Sequence, residues 1–185
     1  MKDFITSALM ILVLTVALGV IYPLAVWGVA QVVFPQQANG SLIEKDGKII
    51  GSELIGQQFA SEKYFHSRLS ANNYDAANSG GTNLGPASQK LIDRVKTDAL
   101  NLQTENPNAP VPADLVTTSA SGLDPHISPS AAEFQIPRIA RVRNLSETDL
   151  RKLVDRFTEN RQFGIFGEPR VNVLKLNLEL DKVQK

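Results

Sequence analysis

The chain has no cysteine among its 185 residues, and only two histidines, His66 and His126. Without a thiol it can form neither a disulfide framework nor a thiolate nucleophile. Neither sign of charge dominates, since 19 Lys and Arg face 19 Asp and Glu. Nucleic-acid-binding proteins normally carry a basic excess or stripe, so this balance argues against such a partner. Two catalytic signatures are also missing: there is no G-x-S-x-G elbow and no G-x-x-x-x-G-K-[ST] phosphate loop. The absence with the largest consequence is local. Between Asp3 and Glu44 the chain holds no charged side chain at all.

That uncharged stretch reads as a membrane span. Ala8 to Phe34 contains only Thr15 and Gln31 as clearly polar residues. At about 1.5 Å per residue it reaches roughly 40 Å, against a hydrocarbon core of about 30 Å. Lipid offers no partner for bare N–H and C=O groups, so the span must be helical. Pro23 is expected to kink it, and Ala17, Gly19 and Gly28 are small enough to let a partner helix approach. A cleaved signal peptide, cut after Gly28-Val29-Ala30, is the competing reading, but the apolar run far exceeds the usual 7–15 residues. Lys2 precedes the span and no Lys or Arg follows it before Lys45. The positive-inside rule then puts the N-terminus in the cytoplasm and the rest outside. The expected organisation is an anchor over residues 1–34 and one compact soluble domain over 35–185, of α+β class.

Within the domain, Asp46-Gly47 lies between apolar runs and signals a hairpin, with Ser52 to Phe59 extending its second strand. Leu84, Leu91, Ile92, Val95, Ala99 and Leu102 follow helical spacing, with Pro86 in the first turn. Ser128 and Pro129 open a second helix, whose apolar side is Ala132, Phe134, Ile139 and Val142 and whose regularity Pro137 limits. Ser146 is the predicted cap of a third helix, worth about 1 kcal/mol. Leu145 and Leu150 make its staple, and Leu150, Leu153, Val154 and Phe157 its buried stripe. Leu174, Leu176, Leu178 and Leu180 alternate with polar residues and predict a terminal strand over 171–180. Arg138, Arg141, Arg143, Arg151, Lys152, Arg156 and Arg161 are interspersed with acids and read as a solvated, salt-bridged face.

Two polar loops are candidates for function. Residues 72–86 include Ser79, Gly80, Gly81, Thr82, Asn83 and Gly85, whose backbone N–H groups could hold an anion near a helix N-terminus. Residues 117–129 include Ser121, Gly122, Asp124 and His126. With Ser119, Ser121 or Ser128, Asp124 and His126 could be imagined as a triad, or as two ligands of a metal. Both lack their remaining parts. A turn fixed by Asp124 and Pro125, with His126 bonded locally, is the simpler reading. An accessory subunit of a membrane complex fits this better than an anchored hydrolase.

Four stretches carry a family resemblance: LIGQQFASEKYFHSR at 54–68, SGGTNLGP at 79–86, DLVTTSASGLDPHISPSAA at 114–132 and FGEPRVNVLKLNLEL at 166–180. With the single span before them, they resemble the C subunit of the bacterial Kdp potassium-transporting P-type ATPase. The last stretch adds Glu168 and Arg170 to the candidate residues. The resemblance implies a non-catalytic subunit of an inner-membrane complex. Its partners would be a channel-like potassium-translocating subunit, a P-type ATP-hydrolysing subunit and a small single-span subunit. ATP and potassium would belong to the complex, with no cofactor or metal bound directly by this chain. The resemblance also implies a catalytic-chaperone role that raises the ATP affinity of the hydrolysing subunit. A domain placed in the cytoplasm, with residues 79–86 on nucleotide, is the alternative.

Overall fold

The computed structural model describes residues 1–183, which divide into two compact units meeting in sequence at Ile50 and Gly51. The first unit opens with a helix running from Lys2 to Val33, 32 residues long and apolar enough to cross a membrane. It consists of α1 (Lys2–Val16), a widened π-type turn (Ala17–Ile21) and α2 (Tyr22–Val33). The widening has a local cause. Pro23 has no N–H, and its ring would crowd the carbonyl four residues earlier, at Gly19. The chain inserts one extra residue there, and the Tyr22 N–H bonds back five residues to the Ala17 carbonyl. A short helix α3 (Pro35–Ala38) follows. Strands β1 (Leu42–Lys45) and β2 (Lys48–Ser52) then form the expected hairpin. Asp46 and Gly47 both take positive φ, +53° and +72°, as a primed two-residue turn requires. The second strand stops at Ser52 rather than reaching Phe59, because residues 53–54 turn away.

The second unit is built on a three-stranded antiparallel sheet in the order β3-β5-β4. Its strands are β3 (His126–Ile127), β4 (Thr158–Glu159) and β5 (Arg170–Asn172). His126 pairs with Asn172, Ile127 and Thr158 with Val171, and Glu159 with Arg170. Helices α4 (Gln89–Glu105), α5 (Ala113–Val116), α6 (Pro129–Arg143), α7 (Glu147–Arg156) and α8 (Val173–Val183) complete the unit. The α+β class holds.

Several local expectations are corrected. Pro86 lies in a turn closed by Ser88 N–H to Gly85 O at 2.9 Å, and α4 begins only at Gln89. Helix α6 runs through Pro137 without a break. It exposes Val142, and it buries Ile136, Gln135, Arg138 and Arg143. The predicted terminal strand is a strand only over its first residues. After Asn172 the chain is helical, and Val173, Leu176, Asn177 and Leu180 bury one face at helical spacing. Alternation and a helical stripe coincide over so short a window. Composition separates them: the β-branched Val171 and Val173 come first, and then straight-chain helix formers take over. Asn172 caps α8, its Oδ1 accepting the Lys175 N–H at 3.1 Å.

The cap of α6 is as expected: Ser128 Oγ accepts the Ala131 N–H at 3.1 Å, with Pro129 in the first turn. Ser146 holds the cap position of α7, yet its side chain makes no cap bond there. The buried core joins Phe65, Leu115, Ile127, Ala132, Phe134, Ile136, Ile139, Leu150, Val154, Val171, Leu176 and Leu180, with Leu145 packed at its margin.

Candidate functional site

The site begins with an irregular stretch of backbone. Residues 62–66 belong to no helix or strand, yet Phe65 is fully buried. Buried N–H and C=O groups must find partners, and side chains supply them. Arg138 donates to the carbonyls of Glu62 and Tyr64. Arg143 donates to the Lys63 carbonyl at 2.7 Å. Asn177 pairs with both backbone groups of Phe65, and Gln135 with both of His66. Arg138 and Arg143 are therefore core residues, not part of a solvated face. Arg138 Nε lies 3.0 Å from the Glu105 carboxylate, although its N–H does not point at it. Arg143 reaches Asp181 at 2.8 Å and lies 4.9 Å over the Tyr64 ring. The same frame carries Arg68 out of the core to the candidate loops.

Arg68 pairs with Asp124 Oδ2 at 3.0 Å and reaches Thr117 Oγ1 at 3.4 Å. Asp124 Oδ1 accepts the His126 N–H at 3.0 Å, the local turn expected from the Asp-Pro pair. Its distance to His126 Nδ1 is 3.8 Å, too long for a hydrogen bond. Asp124 and His126 line an open groove of about 570 Å³ with Glu168 and Arg170. Four of the candidate residues thus meet, together with Arg68 and Asp114, which are not among the residues predicted from the sequence. Arg68 closes the first family stretch and Asp114 opens the third. Asp114 accepts from Ser128 N and Oγ at 2.7 and 3.1 Å. Arg170 pairs with Glu159 at 3.1 Å and Glu168 with Arg161 at 2.6 Å. The charges around the groove are largely paired with each other.

The two polar loops are fastened together. Ser79 Oγ and Gly80 N–H both donate to the Ser121 carbonyl, at 3.0 and 2.8 Å. Gly122 has φ +70°, and a Cβ there would come within 2.4 Å of Asn72 Oδ1 and 2.8 Å of Gly80 O. At Gly81 a Cβ would come within 3.0 Å of Ala120 O. Gly56 is needed for a similar reason: a Cβ there would lie 2.5 Å from Asp124 O. Thr82, Asn83 and Gly85 take no part in this seam. Asn83 takes a left-handed φ of +53°, and Gly85 faces open space. The Gly80 N–H that an anion would use is occupied, and α4 starts at Gln89, beyond the glycines.

The serines weighed for a triad are engaged elsewhere. Ser119 and Ser121 hydroxyls lie 3.1 Å apart and accept from Gly122 N and Leu123 N. Ser128 caps α6 while bonding Asp114 and Ser130. Burial, and then the Arg170 charge, push the His126 pKa below its ordinary value. His66 is lowered by burial and by Arg138, and its Nε2 lies 3.2 Å from Ser61 O. Among the described residues no three His, Asp or Glu side chains converge as metal ligands would. On the long helix, a Cβ at Gly28 would meet nothing within 4 Å, and one at Gly19 only Thr15 at 3.9 Å.

Comparison with known proteins matches residues 4–182 to one family, described as K+-transporting ATPase, c chain. A potassium-transporting ATPase KdpC subunit of Koribacter versatilis is 60% identical over 185 residues, covering 99% of this chain and 96% of its own. The KdpC subunit of Bradyrhizobium diazoefficiens is 54% identical over 196 residues, covering 98% of each chain. One from Rhodopseudomonas palustris is 55% identical over 195 residues, covering 98% of this chain and 97% of its own. With the paired loops, the groove and all but the first two residues of the apolar helix inside the matched region, the chain belongs to the KdpC family, the c chain of the K+-transporting ATPase.

Proposed function

We propose that this chain is a non-catalytic accessory subunit of an ATP-driven, high-affinity potassium-uptake complex in the bacterial plasma membrane. Its helix spans the bilayer with the N-terminus in the cytoplasm, and residues 35–185 lie outside. There the domain caps the outer side of the potassium-translocating subunit and stabilises the assembly with the P-type ATP-hydrolysing subunit and the small single-span subunit. Ala17, Gly19, Pro23 and Gly28 form the part of the span that packs against these partners.

The observation that carries this reading is the self-pairing of the loops and groove. Arg68–Asp124, Arg170–Glu159 and Glu168–Arg161 are ion pairs, and among the described residues no hydrogen bond joins the His126 ring to a serine hydroxyl it could activate. That supports a subunit working by binding rather than by its own turnover. A raised ATP affinity in the hydrolysing subunit is on this reading allosteric, because ATP is cytoplasmic and the domain is not. Against a nucleotide contact at residues 79–86 stands the bond from Gly80 N–H to Ser121 O.

Purification of the tagged full chain in mild detergent tests the assignment, with co-purification of the other subunits expected. Protease added to sealed right-side-out vesicles tests the orientation. Digestion of the domain is expected, and a fully protected domain would overturn the external placement.

A further inference from the structure

Between β4 and β5 the chain makes a small knuckle over residues 161–167. Gln162 and Phe166 pair as an isolated antiparallel bridge, each N–H bonding the other's carbonyl at 2.9 Å. Gly164 N–H bonds Arg161 O, and Ile165 N–H bonds Gln162 O, both at 3.1 Å. Gly164 and Gly167 take φ of +74° and +77°, as so tight a turn requires. The backbone is therefore fixed, and what it presents is apolar: Phe163 is 92% exposed, Ile165 71% and Phe166 64%.

Phe163 breaks two local rules at once. It holds a left-handed φ of +54°, a region that bulky side chains avoid. It also gains no burial within its own domain in return. Strain with no internal compensation points outward, to a contact made with something else.

Charge narrows the choice of occupant. The two strands of the stem are tied by Arg161–Glu168 and Arg170–Glu159. Their arginines are neutralised, so the knuckle lacks the free basic flank that draws an apolar tip onto anionic lipid. Area narrows it further. Three such side chains offer on the order of 400 Å², about half of what each partner buries in a stable stand-alone complex. A free dimer of two copies through this tip is therefore too small to persist. The same tip suffices where a membrane span already holds the chain beside its partner, since tethering makes docking intramolecular.

We propose that the Phe163–Phe166 knuckle is a docking plug that seats in an apolar pocket on the extracytoplasmic surface of an integral-membrane subunit of the same complex. The inference rests on the external placement and the shared complex given under the proposed function.

The test replaces Phe163 by the photo-reactive p-benzoyl-phenylalanine in the tagged full chain, expressed with the other subunits. Lys152, exposed on α7, carries the same probe as a control. Irradiation of membranes is expected to give an adduct between this chain and an integral-membrane subunit, at least tenfold above the control. An adduct with lipid, an adduct with a second copy of this chain, or no adduct would each overturn the proposal. A second arm uses Phe163→Ser with Phe166→Ser, both outside the core. Retention of partners through a stringent detergent wash is expected to fall about tenfold, with the amount of chain in membranes unchanged. Unchanged retention sinks the plug. Loss of co-purification by the unmodified chain sinks the shared complex itself, so the two failures are distinguishable.

Discussion

The side-chain amide of Asn177 bonds both backbone groups of Phe65: its Oδ1 accepts the N–H and its Nδ2 donates to the C=O, each at 2.9 Å and across 112 positions of chain. Phe65 is fully buried and Asn177 is 2% exposed, so water can replace neither bond. Helix α8 thereby acts toward residues 62–66 as a neighbouring strand would, but through one side chain instead of a ladder.

Asn177→Leu keeps the branching and heavy-atom count of the side chain and removes both partners. Two buried backbone groups are then left unmet, at about 1–3 kcal/mol each. A loss of about 2–5 kcal/mol is expected in urea unfolding of the full chain in detergent. Hydrogen exchange at the Phe65 amide should accelerate with it. A change below about 1 kcal/mol would mean that the stretch is not held this way.

The seam between the polar loops gives a contrast of two glycines. Gly122→Ala meets a positive φ and a Cβ clash with the Gly80 carbonyl at 2.8 Å. It is expected to cost about 2 kcal/mol or more and to expose residues 72–86 to protease. Gly85 has open space and no positive φ. Gly85→Ala is expected to be neutral, or stabilising by up to about 1 kcal/mol. Were residues 79–86 an anion cradle needing close backbone approach, Gly85→Ala would instead be the damaging change. Limited proteolysis of the two variants separates these outcomes.

The two cap serines should behave differently. Ser128 Oγ accepts the Ala131 N–H and also bonds Asp114, so Ser128→Ala is expected to cost about 1–2 kcal/mol. Ser146 makes no side-chain cap bond, so Ser146→Ala should cost only a few tenths of a kcal/mol. Equal losses in paired urea melts would contradict the geometry.

What the sequence made legible follows from where local rules act alone. The uncharged run predicts a long apolar helix because lipid admits little else, and Asp46-Gly47 predicts its hairpin because few residues tolerate two positive φ values. The α+β class, the Ser128 cap and the Leu150, Leu153, Val154 stripe are local too. The errors arise where tertiary packing decides. Arg138 and Arg143 look like surface charges, but a guanidinium is also the side chain best able to satisfy several carbonyls of an irregular buried segment at once. No periodicity marks residues 62–66 as core, because their partners are side chains of α6 and α8, distant in sequence. The contacts of Asp124 with Arg68, and of Ser79 and Gly80 with Ser121, are likewise long-range. The family motifs pointed to those stretches without revealing the pairing.

The histidines set the pH response. Both His66 and His126 have folded pKa values below their ordinary 6.5, mainly because burial disfavours the charged ring. Arg138 adds to this at His66, and Arg170 at His126. Asp124 and Glu159 near His126, and Glu105 and Glu62 near His66, oppose the shift without reversing it. The unfolded chain therefore takes up protons first as pH falls, and proton uptake favours unfolding. Stability contributed by the neutral rings is fully present above about pH 6.5 and declines as pH falls from there toward the lower folded values. The urea midpoint of the full chain is expected to drop between pH 7.5 and 5.5. This window lies above the range in which ordinary carboxylates titrate. Replacing both rings by glutamine should flatten that slope. A midpoint that rises on acidification, or a slope unchanged in His66→Gln/His126→Gln, would show that the rings gain a proton more readily in the folded protein than in the unfolded chain, or that other groups control the response.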